Sequence, residues 1–499
     1  MSAIVLAPPL RDDAPPLRSM LGSILRLGTP SVLENLLSAT IVFVDLVMLA
    51  RLPGNAAYLA AASVSSIWLW RITSFFAVTG VGAGAYVARR WGEDDHGAAG
   101  RAMAHATVLG IIGGLLAMAI FIPMARWISH GYIPGQPATA EITARYFILV
   151  FLGLPFRIGL VNLSTCLRAA GDTITPLLIV AFMVVCNTFL NWVFIFGNLG
   201  APALLMDGAG IATALTFVLG FAVALARVLV GVRPRRLFAA NAGAPLDLSA
   251  AEDHEHEHMR MAAPAAAATG ALLQLDRSGL RPWIPSITRP ILRVSWPALW
   301  EEILVSIGFL VFMKMVASFG EEVLAAHAAI LRIETFSFTA GWGVAVAASA
   351  MVGQALGARR PRLARRIFSL TNTMAIAIMG LAGIIMALAP QALLGVFRLE
   401  DRVLDIASVL IFIIALEQCF IAAAMTLAGG LKGAGDTLPP FVVQLVGTIG
   451  TRIGVGYVLA WPMGLGIEGV YWGTVIDWFL RAAVLAWFVW RGKWQHIKV

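Results

Sequence analysis

The sequence is poor in charged residues. Asp, Glu, Lys and Arg make up only 13% of its 499 residues, whereas a soluble globular protein has about 25%. Hydrophobic residues make up 59%, and the mean hydropathy is +0.83. These values exclude a water-soluble enzyme and predict a polytopic membrane protein.

Cysteines are few, and catalytic motifs are missing. Cys166, Cys186 and Cys419 lie in or beside apolar runs and lack metal-ligand or redox spacing, which is typical of small buried hydrophobic residues. The sequence contains no nucleophile triad, phosphate-binding loop, zinc-protease motif or dinucleotide fingerprint. We therefore expect no enzymatic activity, no metal or other cofactor and no ATP hydrolysis. If the protein moves a solute uphill, an ion gradient would have to supply the energy.

Long apolar segments recur along the chain. Runs such as 111–122 are unbroken, which excludes the alternating strands of a β-barrel, so the spanning segments must be helices. About 20 apolar residues cross a bilayer. The sequence therefore predicts an all-α protein with twelve transmembrane helices. They fall at about 27–50, 58–86, 103–125, 143–165, 175–197, 208–230, 290–318, 323–350, 368–390, 403–428, 438–461 and 466–490.

The polar segments define the predicted domains and the topology. Residues 231–289, which include the run His254–His258, are too polar to bury a core and predict a linker between two six-helix lobes. If the N-terminus is in the cytoplasm, 23 Lys and Arg residues fall on the cytoplasmic side of the membrane and 5 on the opposite side. This basic excess indicates topology rather than nucleic-acid binding. The predicted domains are a cytoplasmic tail 1–26, a lobe 27–230, a cytoplasmic linker 231–289, a lobe 290–490 and a cytoplasmic tail 491–499.

The two lobes are copies of one another. Leu167–Thr173 (LRAAGDT) recurs 264 residues later as Leu431–Thr437 (LKGAGDT), and Glu34 corresponds to Glu301. Because each copy holds an even number of helices, the copies insert in the same direction and form a parallel duplication. Two such bundles with a cleft between them are typical of an alternating-access carrier.

Acidic and amide side chains within the first lobe are candidates for binding a cation. Glu34 and Asp45 are eleven residues apart and lie on one face of the first helix, and Asn187 and Asn191 share a face of the fifth. Carboxylate and amide oxygens suit a hard cation or a proton relay. The alternatives are that Asp45 pairs with a base such as Lys314 and that the asparagines only join helices.

A second set of acids lies in the other lobe. Glu301 and Glu302 stand one turn beyond Pro297, as Glu34 stands beyond Pro30. Glutamates facing one another would form a negative patch that suits cationic cargo, unless helix N-termini or arginines neutralise them. Glu417 in the tenth helix is a further intramembrane acid.

Several motifs in both halves resemble those of the multidrug and toxic compound extrusion (MATE) family. The similar segments are Phe43–Met48, Leu167–Thr173, Asn187–Asn191 leading into 194–197, Ala325–Ala329, Met351–Gly357 and Leu431–Thr437. The resemblance covers about 30–230 and 290–490. It implies two bundles in a V and the export of amphipathic, often cationic compounds, driven by inward flow of Na⁺ or H⁺.

The resemblance also implies roles for individual residues. The family's coupling aspartate corresponds to Asp45, its cation-site asparagines to Asn187 and Asn191, and Thr213 supplies a further oxygen. Some members have an aspartate at the position of Asn191, so this pocket has one carboxylate fewer. The family's acid in the seventh helix falls near Glu301 or Glu302, and its acid in the tenth helix falls near Glu417. The resemblance implies that these acids contact the substrate or relay the cation.

The predicted function is a proton- or sodium-coupled antiporter in the cytoplasmic (inner) membrane of a bacterium. Its partners would be the lipid bilayer and an amphipathic, cationic organic cargo, and we expect a monomer that does not bind nucleic acid. One alternative is a lipid-linked oligosaccharide flippase, which would need a strongly cationic cavity. Another is a membrane scaffold or receptor, which would not need the duplicated acids.

Overall fold

The computed structural model describes residues 16–234, 272–276 and 284–497. Within these ranges all regular structure is helical, apart from one antiparallel bridge between Val232 and Leu273. The predicted all-α class is therefore confirmed. The first 15 residues of the predicted tail and the run His254–His258 of the predicted linker lie outside the described residues.

The described ranges contain sixteen α-helices. Those of the first half are α1 (Leu17–Leu49), α2 (Asn55–Phe76), α3 (Thr79–Gly92), α4 (His96–Tyr132), α5 (Pro137–Phe151), α6 (Leu154–Ala170), α7 (Ile174–Phe196) and α8 (Leu205–Val230). Those of the second half are α9 (Pro285–Ala317), α10 (Glu321–Gly357), α11 (Pro361–Leu388), α12 (Pro390–Gly395), α13 (Asp401–Gly433), α14 (Leu438–Val446), α15 (Gly456–Ala460) and α16 (Gly466–Arg491).

The helices account for the predicted number of spans. In the described part of the chain, ten helical segments are long and apolar enough to cross a membrane, and α5 with α6 makes an eleventh that is bent by 52°. α9 has 33 residues, or about 50 Å at 1.5 Å per residue, which also exceeds a bilayer core. The two-lobe fold with twelve membrane helices is thus confirmed.

Three predicted spans are interrupted. The span predicted at 58–86 is divided where α2 ends at Phe76 and α3 begins at Thr79. The span predicted at 143–165 bends where α6 begins, because Pro155 lacks the N–H that would continue α5. In the eleventh span, α14 and α15 are joined by nine residues of π-helix, Gly447–Val455. Such widened turns are frequent at functional sites, and this one carries Arg452.

The first turns of α1 and α9 are exchanged between the lobes. α1 begins at Leu17 rather than near residue 27, and its Met20 and Ile24 are buried in a core cluster of the second lobe. Reciprocally, Ile287 and Ile291 of α9 belong to the core cluster of the first lobe. Each lobe therefore anchors the start of the other lobe's first helix by apolar burial.

The lobes touch at the end of the bundle where α1 and α9 begin, here called the near end. Glycines allow close approach there: a Cβ on Gly28 would lie 3.4 Å from the carbonyl oxygen of Gly343, and one on Gly92 would overlap the carbonyl of Gln354. The Gln354 side chain donates a hydrogen bond of 2.8 Å to the carbonyl of Ala169 in the other lobe.

Candidate functional site

A buried polar cluster lies within the first lobe, where α1, α7 and α8 meet. The Asp45 residue is 5% exposed, Asn187 and Asn191 are fully buried and Thr213 is 3% exposed. The spacing of four along α7 places both amides on the side that faces α1. The structure thus brings together the four side chains that the sequence singled out as a cation-coupling set.

Hydrogen bonds tie the Asp45 carboxylate to two neighbouring helices. Asn191 Nδ2 donates to Asp45 Oδ1 at 2.5 Å and to Asn187 Oδ1 at 3.1 Å. Thr213 Oγ1 donates to Asp45 Oδ2 at 3.5 Å. The C-terminal half of α1 is therefore held to α7 and α8 through one carboxylate. Among the described residues its charge is compensated by dipoles and not by a basic side chain.

Two polar atoms of this cluster lack a hydrogen-bond partner among the described residues. They are the amide oxygen Oδ1 of Asn191 and the amide nitrogen Nδ2 of Asn187. Buried polar atoms are nearly always satisfied, so an unmet acceptor beside a carboxylate points to a missing ligand or to a second arrangement of the amides. Together with Asp45 and Thr213, the amides bring to one place several oxygens of the kind that suit a hard cation.

Glu34 lies outside this cluster and forms a buried ion pair. Arg168 Nη1 donates to both of its carboxylate oxygens, at 2.8 and 3.0 Å. In the second lobe Lys432 Nζ donates to Glu301 Oε1 at 2.9 Å. The two pairs occupy matching places in the duplication, because Arg168 and Lys432 are the second residues of the repeated LRAAGDT and LKGAGDT motifs.

These pairs correct the expectation of a negative patch. Glu34 and Glu301 each have a basic partner, so they do not present a free cluster of carboxylates to a cationic cargo. Glu34 is neutralised by an arginine, Arg168, which is one of the alternatives that the sequence left open, and Glu301 is neutralised by a lysine, Lys432. The signal was available in the sequence, since both repeated motifs carry a base at the same position.

A cavity of about 580 Å³ lies between the two lobes. Its volume is in the range of sites for drug-sized ligands, about 300–1,000 Å³. Trp342 and Trp478 contribute aromatic surface. The charged residues that line it are Arg168 from the first lobe and Glu301, Glu302, Lys432, Arg452 and Arg481 from the second.

Glu417 belongs to a separate polar cluster in the second lobe. It is 4% exposed and accepts a hydrogen bond of 2.7 Å from Thr474. Nearby, the fully buried Asp477 accepts a hydrogen bond of 2.6 Å from Arg481 Nε, and Arg452 Nε lies 3.0 Å from its other oxygen. Glu417 is thus neither in the Asp45 cluster nor on the wall of the cavity.

The comparisons with known proteins agree with the geometry. A family model described as MatE matches residues 30–193 and 297–458. A probable multidrug resistance protein NorM of Thermotoga maritima is 25% identical over 486 residues, which cover 97% of this chain and 95% of that protein. A probable NorM of Mesorhizobium japonicum is 28% identical over 386 residues, covering 74% and 73%.

Solved structures show the same fold. A crystal structure of a MATE protein in a bent conformation has a TM-score of 0.79 at 19% identity, covering 95% of this chain and 96% of that one. The Vibrio cholerae MATE transporter VcmN in its bent form also has a TM-score of 0.79, at 18% identity, covering 95% and 97%.

Proposed function

The chain belongs to the MATE family, and from this we propose that it is a cation-coupled antiporter that exports amphipathic organic compounds by alternating access. Its curated relatives are named as multidrug resistance proteins. The observation that carries the coupling proposal is the Asp45 cluster. A buried carboxylate bonded only to amides and a hydroxyl is suited to binding one small cation, H⁺ or Na⁺.

Cation binding would rearrange the hydrogen bonds around Asp45. In the present arrangement the Asn191 amide nitrogen donates to both Asp45 and Asn187. A protonated Asp45 has an O–H to donate and needs an acceptor, which the unpartnered Asn191 Oδ1 provides once its amide turns over. Because Asn187 Oδ1 faces this position now, the Asn187 amide has to turn over as well, so that its Nδ2 donates to the same oxygen. Asn187 Oδ1 and Asn191 Nδ2 then occupy the places of the two atoms that now lack a partner, so the cluster has two alternative hydrogen-bonding arrangements.

Sodium would require the same change. Na⁺ binds oxygens, and turning the Asn191 amide replaces a nitrogen by an oxygen beside Asp45. Either cation removes the carboxylate's negative charge from a site with few compensating charges. Because this carboxylate joins α1 to α7 and α8, its neutralisation would shift the packing of the first lobe and bias the transporter toward the state that releases cargo.

We further propose that the near end faces the cytoplasm. The 23 to 5 distribution of basic residues supports this orientation, with both termini inside. In this conformation the lobes contact each other at that end, so the opposite end is the one from which cargo would leave. We propose a monomer in the bacterial inner membrane that needs no cofactor besides the coupling ion.

A lipid-linked oligosaccharide flippase, the other carrier that the sequence left open, has less support. The family model and the curated relatives point to multidrug transport. The cavity between the lobes is of drug size and contains acids as well as bases. The charge of the cargo, which the sequence predicted as positive, is considered in the next subsection.

The proposal is tested by dye efflux from cells that express the chain, with external pH and sodium varied independently. We expect efflux that follows one of the two gradients and is lost in Asp45→Asn at normal membrane expression. Asp401→Asn, which removes an exposed acid at the start of α13, is the matched control and should export normally. Full efflux by Asp45→Asn would overturn the assignment of the coupling site.

A further inference from the structure

The charge on the walls of the interlobe cavity indicates the kind of cargo. We propose that this cavity receives an anionic group carried by an aromatic compound, with Arg452 as the anchor for the anion. This proposal rests on the proposed function, since it assumes that the cavity binds cargo, and it replaces the cationic cargo that the sequence predicted.

Bases outnumber acids on the cavity wall. Four basic side chains line it, against the two carboxylates Glu301 and Glu302. Asp477, which balances two of the bases, is fully buried and does not line the cavity. The carboxylate of Glu301 is bonded to Lys432, and Glu302 lies in the field of Lys432 and Arg71. Three of the four bases are bonded to a carboxylate, Arg168 to Glu34, Lys432 to Glu301 and Arg481 to Asp477. Arg452 is therefore the base of this wall without a hydrogen-bonded carboxylate among the described residues, although Glu334 and Glu417 lie in its field, and an anion beside it would gain attraction.

Arg452 has hydrogen-bonding capacity to spare. Its Nη2 has no partner among the described residues, and its Nε, although 3.0 Å from Asp477 Oδ2, is not aligned for a hydrogen bond. Arg481, by contrast, donates through Nε to Asp477, through Nη1 to Gln444 and through Nη2 to Thr448. Nε and Nη2 are themselves buried, so a cargo anion would contact the part of the Arg452 side chain that is exposed, 21% of its surface. Guanidinium groups bind carboxylate, sulfonate and phosphate groups.

The backbone presents Arg452 in an unusual way. It lies within the π-helical stretch Gly447–Val455, between α14 and α15. Arg452 lines the cavity together with Arg481, and in a π-helix the side chains are displaced relative to those of a regular α-helix. The corresponding helix of the first lobe, α7, is a regular α-helix throughout, so the anchor is specific to the second lobe.

Aromatic surface lies next to these bases. The guanidinium carbons of Arg452 and Arg481 lie 5.2 and 5.0 Å from the ring centre of Trp478. That of Arg168 lies 6.0 Å from the ring of Trp342. Flat aromatic cargo can stack on such indoles while its anionic group reaches Arg452.

The test compares two dyes that share a xanthene ring system and differ in charge, fluorescein as the anion and rhodamine 123 as the cation. Binding to the purified full-length protein in detergent is measured by fluorescence anisotropy. We expect fluorescein to bind more tightly than rhodamine 123. Arg452→Gln should weaken fluorescein binding about ten- to hundredfold and, by removing a positive charge from the wall, should tighten rhodamine 123 binding. Arg332→Gln, which removes an exposed arginine of α10, is the control for overall charge and should leave both affinities unchanged.

For a second variant we predict a gain of affinity, which a misfolded protein would not show. Glu302→Gln removes a negative charge from the same wall and should tighten fluorescein binding severalfold. Binding of rhodamine 123 without fluorescein, or a Glu302→Gln variant that does not bind fluorescein more tightly, would overturn the anionic cargo and leave the export function standing. Binding of neither dye, together with no dye efflux from cells, would overturn both proposals.

Discussion

Replacing Glu34 by Gln is expected to destabilise the protein more than the matching replacement of Glu301. The change leaves the Arg168 guanidinium buried without its carboxylate. Both side chains of the Glu34–Arg168 pair are only about one-tenth exposed, at 11% and 10%. The equivalent Lys432 is 28% exposed and Glu301 is 15% exposed, so water can partly replace the lost carboxylate there.

The size of the expected stability loss follows from the distance between the charged groups and from their burial. At 2.8 Å and an effective dielectric constant of about 20, the attraction between Glu34 and Arg168 is about 6 kcal/mol. The desolvation of both groups opposes it, and removal of one partner from a buried pair typically costs about 3–5 kcal/mol. We expect Glu34→Gln to lower the free energy of unfolding by about 3–5 kcal/mol. For Glu301→Gln we expect about 1–2 kcal/mol, because the burial of the Glu301–Lys432 pair is intermediate between that of exposed and fully buried pairs.

The assay is equilibrium unfolding in mixed micelles with increasing denaturing detergent. The double variant Glu34→Gln with Arg168→Gln should be more stable than Glu34→Gln alone, because it removes the unpaired charge as well. Equal losses for Glu34→Gln and Glu301→Gln, or a double variant less stable than the single one, would refute the reasoning.

Three further predictions follow from single positions. Thr213→Val removes the hydroxyl near Asp45 and should raise about two- to tenfold the ion concentration that gives half-maximal efflux; an unchanged value would count against Thr213 as a ligand. Gly92→Val adds atoms that overlap the Gln354 carbonyl, so spin-label distances across the near end should lengthen, and unchanged distances would contradict the close contact. Burial raises the pKa of Asp436, in the loop between α13 and α14, to about 6 from a usual value near 4. The folded state therefore binds its proton more readily, stability falls as pH rises through this interval, and Asp436→Asn should raise the thermal midpoint above about pH 6 but not below about pH 4.

The sequence was sufficient to predict the spans and the duplication, because a bilayer demands long apolar helices and the repeated motifs lie at nearly the same offset. It also indicated which side chains meet at Asp45. The spacing of Asn187 and Asn191 places two amides on one helix face, and a buried carboxylate needs such partners. These inferences depend on local periodicity, which a single sequence shows directly.

Other features depend on contacts between distant segments. Glu34 and Arg168 are 134 residues apart, and nothing in either segment fixes the distance between them. The exchange of the first turns of α1 and α9 arises from apolar burial across the two lobes. The π-helical stretch that presents Arg452 has no simple sequence signature, since its residues also suit a regular helix.

The most direct test of the central claim is equilibrium binding of the coupling ion to the purified protein. Sodium binding is measured with radioactive Na⁺, and proton uptake with a pH indicator, in the wild type and in Asp45→Asn. We predict that the wild type binds one of these cations in competition with cargo and that Asp45→Asn does not bind it. Unchanged cation binding by Asp45→Asn would contradict the account.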